Sequence, residues 1–122
     1  MHSNDAVTSV VRLTAQPSLR EVAISELANV DNVYLETIAA GLNHPQSEVR
    51  EAVVTALSRK KQPRASELLA RALDDDRPAV RLAAIAALVR LGSHTAERKL
   101  AQIAATDSDF AVRTAAQRAL ES

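Results

Sequence analysis

The chain has 122 residues, 15 Lys and Arg against 15 Asp and Glu, no Cys or Trp, and only 2% aromatic residues. That length suits one domain around a single core, and the balanced charge excludes a generally basic nucleic-acid binder. The absence of Cys excludes disulfides, thiolate metal sites and thiol nucleophiles. No apolar run approaches the roughly 20 residues of a membrane span, and no charged start leads into an apolar stretch. The expectation is therefore a soluble cytoplasmic protein. Ala and Leu dominate, and Gly41 and Gly92 are the only glycines. That usage favours helix over strand, so the expected fold is all-α.

The elements come in pairs. A helical pattern over about 5–14 precedes a break at Pro17, and a second runs through Leu19, Ala23 and Leu27. The next pair covers about 32–43 and 48–57. After Pro63 comes a helix with apolar Ala65, Leu68, Leu69, Ala72 and Leu73, in which Glu67 and Arg71 are spaced for an i,i+4 ion pair. Val80, Ala83, Ala84, Ala87 and Leu88 then form one stripe of an amphipathic helix. Leu91-Gly92 marks a break, followed by helices over about 95–106 and 111–120. Pro17 and Pro78 suit the first turn of their helices. Asp74-Asp75-Asp76 and Asp107-Ser108-Asp109 supply capping side chains.

The second helix of each pair carries the pattern x-V-R-x-A-[AV]-x-x-A-L around Arg50, Arg81 and Arg113, with a weaker copy around Arg20. These arginines lie 30, 31 and 32 residues apart. Such a period is the mark of a repeat architecture: four helical hairpins over roughly 4–29, 30–61, 62–92 and 93–122, forming one domain across 1–122. The unit from Asp75 to Gly92, D-x-x-P-x-V-R-x-A-A-x-x-A-L-x-x-L-G, resembles a HEAT repeat, most of all the short bacterial type of the phycobilisome (bilin) lyases. The resemblance implies an α-solenoid whose second helices line the concave wall. It also implies an aspartate–arginine ladder between repeats, which would fall to Asp75, Asp107, Arg20, Arg50, Arg81 and Arg113. Thr14 and His44 stand in the aspartate position of the first two repeats.

Catalytic and metal-binding patterns are missing. His2, His44 and His94 fall on segments that do not converge, and no His-Glu dipeptide is present. The three consecutive aspartates lack the alternate spacing and glycine of a calcium loop. There is no G-x-G-x-x-G, P-loop or G-x-S-x-G motif. The expectation is a non-enzyme without a cofactor.

Two features suggest binding. Turns inside repeats are acidic, whereas turns between repeats are basic, above all Arg59, Lys60, Lys61 and Arg64. Macrodipole matching explains that layout, and so would a docking edge for an acidic partner. On the second helices, the outward positions are polar in most repeats but apolar in the third, at Leu82, Ala86 and Val89. Leu82 and Val89 would be either core or the centre of a partner-binding patch rimmed by Glu51, Thr55 and Arg118. The expected function is binding of a protein partner through the concave face, with self-association as another use of that patch. An accessory subunit of a bilin-lyase-like enzyme is the alternative, and a nucleic-acid binder a weaker one.

Overall fold

The computed structural model describes residues 3–122. Eight α-helices and no strands occur among them: α1 (Asn4–Leu13), α2 (Arg20–Asn29), α3 (Leu35–Ala39), α4 (Ser47–Ser58), α5 (Pro63–Ala70), α6 (Pro78–Arg90), α7 (Glu97–Thr106) and α8 (Phe110–Leu120). Tight 3₁₀ turns at Asn32–Tyr34 and Ala40–Asn43 flank α3, and another at Arg71–Asp74 continues α5. The all-α solenoid expected from the sequence is the architecture found.

Local chemistry sets most helix ends. Ser3 caps α1 by accepting the Ala6 amide at 3.1 Å, and Asp109 caps α8 by accepting the Val112 amide at 3.0 Å. Pro63 and Pro78 open α5 and α6 at the first turn, where no backbone N–H is needed. Gly92, at φ 64°, ends α6: its amide meets the Val89 carbonyl and the Ser93 amide meets that of Leu88. This Schellman closure needs the left-handed conformation that glycine takes at little cost.

Three local expectations are corrected. Pro17 lies in the turn before α2, which begins only at Arg20. No side chain caps α6; Asp75 instead accepts the Arg77 amide at 2.9 Å, closing a turn ahead of the helix. Glu67 pairs with Arg64 at 2.7 Å, on the preceding turn, in place of Arg71.

Packing builds the stack through the second helices. α2 lies against α4, α4 against α6, and α6 against α8, whereas the first helices approach one another less and α7 packs chiefly on α8. α2, α4, α6 and α8 are thus the closely packed layer of the stack, the one that the resemblance assigns to the inner wall. α4 is enclosed on nearly every side, with Val49, Ala52, Val53, Val54, Ala56 and Leu57 all buried. Leu27, Leu57 and Leu88, one per repeat at the same position, are fully buried, and each contributes roughly 1.5–3 kcal/mol by leaving water.

Gly41 shows how tightly the first two hairpins meet. A Cβ built there would lie 2.7 Å from Val53 Cγ2 and 2.9 Å from Val11 Cγ1. Gly41→Ala is expected to destabilise the protein by about 1–3 kcal/mol through overpacking. Urea unfolding with an unchanged slope and a lowered midpoint would show it.

Candidate functional site

Arg50, Arg81 and Arg113 are each the fourth residue of their helices and Arg20 the first of its own, and the four find different partners. Each reaches back six residues to a carbonyl of its own hairpin: Arg20 Nε to Thr14 at 2.7 Å, Arg50 Nη1 to His44 at 2.7 Å, Arg81 Nη1 to Asp75 at 2.8 Å and Arg113 Nη1 to Asp107 at 2.7 Å. That bond leaves one edge of the guanidinium turned toward the following hairpin. Arg50 uses it to grip Asp75 bidentately at 2.8 and 3.2 Å, with Asp76 added at 3.1 Å. Arg81 grips Asp107 through two bonds of 2.9 Å. Fork-to-fork pairing of this kind is the strongest ion pairing a protein makes.

The ladder therefore has two rungs, joining the second repeat to the third and the third to the fourth. Arg20 binds only the carbonyls of Thr14 and Ala15. His44 occupies the aspartate position there, and its Nδ1 accepts the Gln46 amide. Arg113 meets no carboxylate among the described residues, and its guanidinium lies 5.7 Å from the Phe110 ring centre. Sequence reasoning passed over Phe110; its one signal was a position at the start of α8, where Pro78 opens α6.

Asp75 and Asp107 are buried to all but 8% and 7% of their side-chain surface. Burial pushes both carboxyls toward higher pKa, but hydrogen bonds from Arg50 and Arg81, and from the Arg77 and Asp109 amides, outweigh it and hold both below the usual range. Carboxyls depressed in this way contribute stability that is complete above their unfolded pKa of about 4 and is lost as the pH falls through the folded value. Circular dichroism melts should give a steady midpoint above about pH 5 and a declining one below pH 4, with the decline reduced in Asp107→Asn. Arg81→Ala leaves Asp107 buried without its cation and should cost about 3 kcal/mol, whereas Arg20→Ala should cost about 1 kcal/mol. Equal losses in chemical denaturation would remove the distinction between rung and non-rung arginines.

The basic edge is largely engaged. Arg59 pairs with Glu21 at 3.1 Å, and Arg64 pairs with Glu36 as well as Glu67. Lys60 is buried and donates to the Val30 carbonyl, and that burial lowers its pKa. Lys61 alone of the four is exposed without an ion-pair partner among the described residues. Lys99, in the first turn of α7, reaches back to Asp74 of the acidic turn.

On the inner wall, Leu82 is half-buried and packs against the core, while Ala86 is exposed and Val89 is 44% exposed. Around them, Glu51 and Thr55 are half-buried and Arg118 is exposed. Beside Val89 a cleft of about 100 Å³ is lined by Leu88, Leu100 and Ala119. His94 borders this cleft and contacts Glu97 at 2.7 Å; His44 belongs to another cleft between α1 and α3, and His2 lies outside the described residues. Among the described residues no cluster of His, Asp and Glu could hold a metal ion. No helix among them is long and apolar enough to cross a membrane.

Residues 4–77 and 35–121 each match the family described as HEAT repeats. No curated protein matches the chain.

Proposed function

The chain belongs to the HEAT-repeat family, and from that premise we propose that it is a cytoplasmic, non-catalytic binding module, an adaptor or regulatory subunit that holds a protein partner on its inner wall. HEAT repeats commonly serve as protein-interaction modules and are generally non-catalytic. The observation that carries the reading is the third repeat's wall position. Ala86 and Val89 present apolar surface beside a small apolar-lined cleft, while the same positions carry Thr55 and Ser58 in the second repeat and Arg118 and Glu121 in the fourth. An apolar anchor with a polar rim is the usual anatomy of a protein contact. Leu82 supports the patch from beneath, and Glu51, Thr55 and Arg118 form its rim.

The alternative inherited from the bilin-lyase resemblance needs a deep pocket for a tetrapyrrole. The clefts described here run from about 100 to 310 Å³, and neither Tyr34 nor Phe110 lines one. A nucleic-acid track is disfavoured because the wall's basic side chains are sparse and Arg59, Arg64 and Lys99 at its edges are already paired.

Ala86→Glu with Val89→Lys should remove partner capture from an extract of the protein's own cells while leaving the melting point within about 2 °C, because both side chains are exposed and surface changes cost little. Val33→Glu, on an exposed residue far from the wall, serves as the control. Undiminished capture by the wall variant would move the interface elsewhere. Sedimentation of the unmodified protein at high concentration tests whether the occupant is a second copy.

A further inference from the structure

The basic segment leaves one cation unspent, and its surroundings are unusual. Lys61 is the one non-glycine residue with positive φ, at 52°, among the described residues. It lies on a cleft of about 310 Å³ between the second and third repeats, together with Gln62, Pro63, Ser66 and Arg90. Arg90, in the last turn of α6, is exposed and has no ion-pair partner among the described residues, and no carboxylate lines the cleft. Two cations thus face one cavity without a counter-charge.

Hydrogen-bond donors accompany them. The amides of Lys61 and Gln62, both on the cleft, meet no backbone carbonyl, and no side chain caps α5. Ser66 is 6% exposed, lines the cleft on the second turn of α5, and its hydroxyl has no hydrogen-bond partner among the described residues. Offsetting the carbonyl ends of α4 and α6 would account for the positive charges alone. It does not account for a lysine in a conformation that glycine or asparagine takes more cheaply, nor for the open donors.

We propose that this cleft is a binding site for a phosphomonoester dianion, with Lys61 and Arg90 supplying the charge and Ser66 and the amides of Lys61 and Gln62 supplying hydrogen bonds. Two cations match a phosphate carrying nearly two negative charges; a carboxylate would leave one of them unbalanced. The site lies on the edge between repeats and does not depend on the inner-wall reading.

The test is titration of the full chain, followed by amide NMR at constant ionic strength, with inorganic phosphate, N-acetyl-phosphoserine amide and acetate. Both phosphates should give saturable shifts at Lys61, Gln62 and Ser66, with acetate at least about tenfold weaker. Tighter binding of the phosphoserine derivative identifies a phosphorylated side chain as the natural ligand, and the reverse order identifies free phosphate. Lys61→Ala and Arg90→Ala should each weaken phosphate binding by about threefold or more without changing the helical spectrum. Lys61→Gly should weaken it equally while raising the melting point by about 3 °C, since the left-handed conformation no longer carries a side chain. Absence of saturable phosphate shifts, acetate binding as tight as phosphate, or affinity unchanged in both alanine variants would overturn the proposal.

Discussion

A buried guanidinium that must satisfy two hairpins at once governs how this molecule is assembled. Arg50 and Arg81 lie at the junctions between repeats with less than a tenth of their surface exposed, where an unpaired charge would cost several kcal/mol. Each is tolerable only because its own hairpin offers a carbonyl six residues back and the next hairpin offers an aspartate. Those two requirements fix where the loop must lie relative to the helix and where the following hairpin must sit. The carbonyl six residues back is the part of that geometry all four arginines share. The valine preceding each of Arg50, Arg81 and Arg113 is fully buried beside it, so polar clamp and apolar core are specified by adjacent residues.

Formal neutrality conceals how the charges are distributed between stitching and display. Most cations of the basic turn after α4 hold neighbouring helices: Arg59 on α2, Lys60 on the carbonyl of Val30, Arg64 on α3. A run of like charges in a sequence looks the same whether its members are solvated, buried or paired. Lys60 could not have been recognised as buried from its neighbours, because the carbonyl it serves is 30 residues away.

The repeat and its helices were legible because their signals are local and recur in register. Val80 and its counterparts Val49 and Val112 announce the core face by spacing alone. The ladder was legible through family resemblance, down to the two positions where Thr14 and His44 interrupt it. What escaped depends on neighbours that one helix cannot reveal. Leu120 repeats Leu27, Leu57 and Leu88 in sequence but is 40% exposed, because no hairpin covers it in the structure. Leu82 and Val89 looked equivalent on a helical wheel, yet the core reaches one and leaves the other in solvent. Pro17 shared the spacing of Pro78, but it stays in a turn because α2 starts only at the arginine.

The stitches are distributed unevenly between the two edges of the stack, and that gives it a mechanical character. The first junction is tied mainly at the edge of the turns between repeats, by Lys60 to Val30 and Thr37 to Asn4, with Arg59 reaching Glu21 in the first turn of α2. The last is tied at the other, by Arg81 to Asp107 and Lys99 to Asp74. The middle junction is pinned at both, by Arg50 to Asp75 and Arg64 to Glu36. Clefts occur at every junction, the largest of those described, about 310 Å³, at the middle one. Pulled from its two ends, such a stack should therefore part first where no buried rung spans the junction, between the first and second hairpins, and hold longest at the middle.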